Sequence, residues 1–442
     1  MNRKRRLKMK QLTRLFIPIC LETLFYMLSG MVDTLMLSAV GDYAVGAVGT
    51  ANSYIGIFII MFSIISSGMV SVMTQNIGAG RPGVAYQARQ LGLLFNAVAG
   101  VLMAVFLFSG AGAILRMVGI ADALYEPALI YLKIVGGGCI LNAVIPIFSS
   151  YLRAFGYTKQ PLYATIVGNI ANFVMNAVFL FVLHKGVAGV AAATVISKIL
   201  NLCIVLYFSH KLISAKNSTE RIANKTVLGQ IVKVGLPSAC ETALYNVAMM
   251  LVIRFLNQMD AEGLNVTARS YTATISNFSY CVGAALAQAN AIMTGWHIGA
   301  GELEECDRGT KRAAFVGVCV AVCMETAIVL GSGFIMPLFT DNPEMTALVR
   351  KLLAIDIVLE IGRVTNLVFG QALKTSGDAV FPAVIAAVFM FVFAVGGTWL
   401  FGISMGLMAV GAYIGLASDE CVRAVGMVWR WKTGKWRTKK LV

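Results

Sequence analysis

Residues 17–39 read IPICLETLFYMLSGMVDTLMLSA, and residues 236–256 read LPSACETALYNVAMMLVIRFL. Pro18, Glu22, Thr23 and Tyr26 of the first stretch recur in the same spacing as Pro237, Glu241, Thr242 and Tyr245 of the second. Both stretches are apolar for the length a helix needs to cross about 30 Å of hydrocarbon. The same lag of about 220 residues relates Ile77-Gly78-Ala79-Gly80 to Ile298-Gly299-Ala300-Gly301. It also relates Leu152, Gly156 and Pro161 to Leu373, Gly377 and Pro382. Three matches in one order at nearly one lag make an internal duplication.

Outward from these stretches, apolar runs recur through the chain. The expected spans are 12–39, 50–76, 90–118, 124–150, 162–183 and 187–209, then 228–256, 266–294, 312–339, 345–372, 380–401 and 404–428. Helices are expected, because lipid leaves a spanning backbone to satisfy itself. Closed barrels would alternate in polarity every second residue, and these runs do not. The fold class is therefore all-α integral membrane, with twelve transmembrane helices in two pseudo-symmetric six-helix lobes. An N-lobe covers 1–209, an inter-lobe linker 210–227, a C-lobe 228–428 and a basic tail 429–442. Each half holds six spans, so both insert the same way up, related by a pseudo-twofold along the membrane normal with a site between the lobes.

The 442 residues are 58% hydrophobic and 13% charged, against about 25% charged in a soluble domain. Lipid is therefore the main solvent. The net charge of +15 gathers at both ends: Arg3, Lys4, Arg5, Arg6, Lys8 and Lys10, then Arg430, Lys432, Lys435, Arg437, Lys439 and Lys440. These clusters flank apolar helices, so they fit positive-inside orientation and anionic headgroups better than nucleic acid, which is not expected as a partner. Alternate loops carry Arg81, Arg89, Arg153, Lys159 and Arg308, or Asp42, Asp122, Glu126, Asp260, Glu262, Asp341 and Glu344. Both termini are thereby expected in the cytoplasm. The five tryptophans fall near span ends or in the tail, as interfacial rings do. The nine cysteines form no metal-ligand spacing and are expected as small buried hydrophobes.

Ionisable groups inside spans cost about 2.5–3.5 kcal/mol on insertion scales, so each is a functional candidate or half of an ion pair. Glu22 and Asp33 lie on one face of span 1, about 16 Å apart at 1.5 Å per residue, with Tyr26 and Ser29 between them. Asp356, Glu360 and Arg363 share a face of span 10, where Arg363 either serves function or neutralises Glu360. Asn169, Asn172 and Asn176 in span 5, and Thr194 and Lys198 in span 6, offer either oxygen ligands to a hard cation or interhelical hydrogen bonds. Lys198 and the Asp419–Glu420 pair sit at nearly equivalent repeat positions and are expected to be structural. Pro18 and Pro237 either seed a bend or sit innocuously in a first turn.

The segments IPICLETLFYMLSGMVDTLMLSAVGDYAVGAVG (17–49), ALKTSGDAVFP (372–382) and ASDECVRAVGMVWRWKTGKW (417–436) resemble the multidrug and toxic compound extrusion (MATE) transporters. The resemblance covers essentially the whole chain and implies that family's twelve spans in two lobes. It implies a cation-coupling role for Asp33, Asn172 and Thr194. Asn176 falls where many members have aspartate, which leaves open a sodium (metal) pocket or a single-carboxylate proton site on Asp33. In the second half, some members carry their span 7 glutamate at the position of Tyr245, with Glu241 one turn earlier here. Some carry a span 10 aspartate at the position of Arg363, with Glu360 as its substitute.

The expected function is a secondary antiporter exporting small amphipathic, cationic organic compounds in exchange for H+ or Na+. Its cavity would be rich in aromatic and methionine side chains, and its candidate charged groups are mostly acidic. No cofactor beyond the transported ion is expected. A monomer in the plasma membrane is expected, with lipid and small-molecule substrates as partners. A flippase for a lipid-linked precursor is the alternative. No HExxH or serine–lysine arrangement points to an enzyme.

Overall fold

The computed structural model describes residues 3–117, 119–213, 220–260 and 263–442, with the side chains of 3–10 and of Asp42 left aside. The basic run Arg3–Lys10, the loop acids Asp42 and Glu262, and residues 214–219 of the linker therefore lie outside the described side chains and residues. Among the described residues the regular structure is entirely helical. The α-helices are α1 (Arg3–Ser38), α2 (Asp42–Gly78), α3 (Pro82–Met117), α4 (Asp122–Gly137), α5 (Cys139–Ala154), α6 (Lys159–Ala177) and α7 (Gly186–Leu212). They continue with α8 (Asn224–Met259), α9 (Leu264–Gly299), α10 (Leu303–Ile335), α11 (Pro343–Ser376), α12 (Val380–Phe389) and α13 (Met408–Lys432). Helices α4 and α5 form one span bent by 41° at Gly138, after a run of glycines that cannot stiffen the turn. The thirteen helices thus make twelve spans.

The observed helices α1, α2, α3 and α10 begin well before the expected spans. Helix α1 begins at Arg3 because Lys, Arg, Leu and Met are all good helix formers and nothing in the basic run breaks it. Pro18 and Pro237 lie well inside α1 and α8, so the first-turn alternative does not hold for either. Spans α6 and α12 both end in π-helix, at Val178–Val182 and at Met390–Val395 followed by Thr398–Ser404. Helices α9, α11 and α13 are absent from the helices that pass as apolar spans on composition alone. Their polarity belongs to the site described below.

The duplication is carried by the backbone as well as by the residues. Left-handed glycines recur in register, Gly80 with Gly301, Gly156 with Gly377 and Gly186 with Gly406. Gly377 shows why the type is needed: its φ is +96°, and a Cβ there would sit 2.3 Å from the carbonyl oxygen of Lys439.

The chain divides into two compact units, Thr13–Gly235 and Met1–Leu12 with Leu236–Val442. The first boundary falls inside α1 and the second inside α8. In the N-terminal unit α2, α3, α4 and α5 pack together, and α7 packs on α4, α5 and α6. Leu107, Ala111, Leu132, Val135 and Ala143 are among the buried residues of that core. In the C-terminal unit α11 is central, packed on α9, α10 and α13.

Small residues let these helices approach. A Cβ on Gly362 of α11 would lie 2.7 Å from the backbone nitrogen of Cys421 in α13, and backbone cannot yield as a side chain can. Gly362→Leu is expected to lose about 3 kcal/mol or more by overpacking. A wild-type melting temperature for that variant in detergent would contradict this close approach.

Two tryptophans differ from the interfacial expectation. Trp431 and Trp436 stack at 4.1 Å and are each 1% exposed. Trp431 donates its indole N–H to Asp307 at 2.7 Å, and Trp436 donates to the Trp431 carbonyl at 3.0 Å. Residues 431–436 therefore fold onto their own unit through aromatic burial, where interfacial rings in a basic tail were expected. Trp399 and Trp429 remain exposed.

Asp260 precedes α9 and caps it. Its carboxylate accepts from the backbone N–H of Leu264 at 2.9 Å and of Asn265 at 3.0 Å. Partial burial works against the charge, but these hydrogen bonds outweigh it and hold the carboxyl below its ordinary range. Asp260→Ala is expected to cost about 1 kcal/mol. A carboxyl held low in the fold contributes above its unfolded pKa of about 3.9 and loses that contribution as pH falls through its folded value. Thermal scans should thus separate variant from wild type at neutral pH and bring them together in strong acid.

Candidate functional site

In the N-terminal unit, α1 is tied to its neighbours by polar links at several heights. Glu22 pairs with Arg153 of α5 at 2.5 Å. Asn169 of α6 donates to the Phe25 carbonyl at 2.9 Å. Asn176 of α6 donates to Asp33 at 2.8 Å and to the Asn172 carbonyl oxygen at 3.2 Å. Asp33, Asn172 and Asn176 are thereby brought together, although α1 and α6 are far apart in sequence. Thr194 bonds back to the Val190 carbonyl at 2.9 Å, and the Tyr131 hydroxyl reaches Thr194 and Asn52 and faces Asp33. Lys198 donates to Asn142 at 2.8 Å and lies near enough to Asp33 for their charges to interact. Tyr26 is 73% exposed and stands apart.

These groups offer a small hard cation several oxygens: the Asp33 carboxylate, the Thr194 hydroxyl, and the Asn176 carbonyl oxygen, which is buried without a hydrogen-bond partner. The Asn172 oxygen is already used by Asn176. A lone carboxylate with no second acid beside it also suits a proton.

In the C-terminal unit a cavity of about 460 Å³ opens among α8, α9, α11 and α13. Tyr245, Tyr280, Tyr413, Met249 and Met390 line it, as aromatic and methionine-rich walls should. Its charged lining differs from the expected acidic one. Glu241, Asp356, Asp419 and Glu420 are matched by Arg269, Arg363, Lys374 and Arg423. The sequence concealed this balance because the bases come from three helices, and spacing along one helix could relate Arg363 only to the acids of its own span.

Most of these charges are paired. Lys374 meets Glu241 at 2.7 Å. This repeats the Arg153–Glu22 pair of the first half at the duplication lag, so both glutamates tie equivalent helices. Arg363 pairs with Glu360 and reaches Glu420 at 3.7 Å. Arg423 grips Asp419 through two bonds of 3.0 and 2.7 Å and meets Glu420 at 2.8 Å. Asn366 donates to Glu420 at 3.0 Å.

Behind Arg363 the carboxylates of Glu325, Asp356 and Glu360 converge, with oxygens within 4.8 Å of one another. All three are buried. Uncompensated buried charge is costly, so this trio needs protons or a cation in addition to Arg363. Glu325 was missed in the sequence. Its signal was there: it is the lone acid of the apolar run VCVAVCMETAIVL (318–330 in α10), and the same cost of intramembrane charge that singled out Asp33 applies to it.

The MatE family model matches residues 18–178 and 237–400, one match in each half. The chain belongs to the MatE family. It is a multi-pass membrane transporter, not an enzyme by family. "Uncharacterized transporter YisQ" of Bacillus subtilis (strain 168) is 32% identical over 428 residues, covering 96% of this chain and 94% of the relative. "Probable multidrug resistance protein NorM" of Thermotoga maritima is 20% identical over 446 residues, covering 98% of this chain and 94% of the relative. Among solved structures, one described as the outward-facing conformation of a multidrug resistance MATE family transporter superposes with a TM-score of 0.84 at 20% identity. It covers 97% of this chain and 96% of its own. At that identity the superposition shows the MATE fold of twelve spans.

Proposed function

We propose that this MATE-family chain is a secondary antiporter that exports small amphipathic organic cations in exchange for an inward-moving ion. The observation that supports it most is the Asp33–Asn176–Asn172 chain of hydrogen bonds between α1 and α6. It holds a carboxylate inside a span, beside groups that can trade partners with an ion. Relatives whose names or descriptions carry multidrug resistance support the substrate class.

A proton is the ion that fits best. Asn176 turns its amide nitrogen toward Asp33 where a second carboxylate would attract sodium, so a metal ion there would lack that ligand, whereas a proton needs only the carboxylate. In this mechanism Asp33 is the coupling residue and Asn172, Asn176 and Thr194 position it. Ion loading and substrate loading must favour different conformations, since only differential affinity shifts a population. The protein works as a monomer in the cytoplasmic membrane, with both termini on the cytoplasmic side.

The test is ethidium efflux from liposomes holding the purified protein, with proton and sodium gradients imposed separately. Transport driven by the proton gradient alone is expected. Transport driven only by sodium would reassign the ion, and none under either gradient would overturn the antiport proposal.

A further inference from the structure

The charged cavity of the C-terminal unit is not something the fold requires. At the lag that relates Gly156 to Gly377, the first half carries Ala104, Val135 and Cys139 where the second carries Glu325, Asp356 and Glu360. All three fold into the same kind of bundle, with Val135 and Cys139 buried in its core. Buried ions are commonly no more stabilising than apolar residues of like size. A half that keeps them where its twin does without them holds them for something other than packing.

Two of the lining charges are left over when the ion pairs are removed. Arg269 of α9 makes no ion pair among the described residues, and its guanidinium lies 3.8 Å from the Met249 sulfur. Asp356 of α11 is 2% exposed, and its Oδ2 has no hydrogen-bond partner. Both line the cavity, at different heights along α9. Ser276 lies beside Asp356, and it follows Arg269 on α9 by two turns, about 10 Å along the helix. Tyr413 stands between, buried, with Thr272 at its hydroxyl and the charges of both Asp356 and Arg269 acting on it. The end at Asp356 is richer in acid, since Glu325 and Glu360 lie against it. At Arg269 no carboxylate among the described residues pairs with the base.

We propose that this cavity is a binding site for a small zwitterion, its anionic group held by Arg269 and its ammonium by Asp356. The volume of about 460 Å³ suits a solute of a few to a dozen heavy atoms, within the ordinary range for small-molecule pockets. The ring walls of Tyr245, Tyr280 and Tyr413 pack its chain. An organic cation lacking an anionic group leaves the half-buried Arg269 unpaired, and a simple anion leaves the buried Asp356 unpaired. Either loss disfavours the wrong ligand more than any contact favours the right one. The site is independent of the antiport proposal for Asp33, which lies in the other unit.

The test uses the full-length protein in nanodiscs and calorimetric titration with γ-aminobutyrate, ε-aminohexanoate and ω-aminooctanoate. Hexylamine and hexanoate serve as controls carrying one charge each. At least one of the longer zwitterions is expected to bind about tenfold or more tightly than either control, a difference of about 1.4 kcal/mol. Arg269→Gln should erase the preference over hexylamine, while Arg269→Lys should retain part of it. Asp356→Asn should erase the preference over hexanoate. Hexylamine binding as tightly as the zwitterions would make this a cation site and overturn the proposal, as would the failure of every probe to bind wild type. Ethidium efflux is read separately, so failure here leaves the antiport result standing.

Discussion

Asp33→Asn should export ethidium about two orders of magnitude more slowly than wild type under a proton gradient, because a group that cannot load an ion has equal affinity in both conformations and shifts neither. The substitution is nearly isosteric, and residue 33 can still accept the Asn176 N–H that now reaches Asp33 at 2.8 Å. Folding should therefore be preserved, and the melting temperature of the variant should stay within a few degrees of wild type. That pairing of results, lost transport with retained stability, separates a coupling carboxylate from a structural one. Normal export by a well-folded Asp33→Asn protein would make Asp33 a hydrogen-bond partner in α1 and nothing more. Lys198→Gln sharpens the comparison. It removes the nearby ammonium and should make export by the otherwise intact protein more responsive to sodium.

Arg363→Leu should be the most destabilising single change in the C-terminal unit. Arg363 is the cation next to Glu360 and within 3.7 Å of Glu420, and Glu360 is fully buried. Removing one partner of a buried pair typically costs about 3–5 kcal/mol, because the other is left as an uncompensated charge. Low yield, aggregation in detergent and a melting temperature many degrees below wild type are expected. The companion variant, Arg363→Leu with Glu360→Gln, should recover a large part of the loss, since it removes charge of both signs. If the double variant is no more stable than the single one, the pair is not what Arg363 supports. Scanning fluorimetry on the three proteins at one detergent concentration decides it.

The spans were legible because lipid imposes both a length and an apolar composition on them. The duplication supplied what composition could not, the division into two six-span halves. Helices α9, α11 and α13 fall short of the other spans in apolar composition, yet each was legible as an apolar run. The break at Gly138 was not legible, since an apolar run reads the same whether straight or bent by 41°. Candidate residues were legible one helix at a time. Periodicity placed Glu22 and Asp33 on a common face but could not say that the face meets Arg153 at one height and Asn176 at another. The same limit hid the convergence of Glu325 from α10 with Asp356 and Glu360 from α11. A carboxylate trio spread over two helices has no spacing to read.

The π-helical stretches say something about the history of the chain. A π turn inside a helix is a one-residue insertion that stretches the hydrogen bonding around it, and such turns are rare. Val178–Val182 carries one at the end of the fifth span, and at the duplication lag of about 220 residues it falls on Thr398–Ser404, which carries another. Two independent insertions at one equivalent position are a poorer account than one insertion inherited twice. The ancestral six-span half then already had this irregularity before its gene was copied and joined. The charges of the two halves diverged afterwards, on helices whose geometry had been settled earlier: Asp33 stands alone in one, and Glu325, Asp356 and Glu360 are gathered in the other.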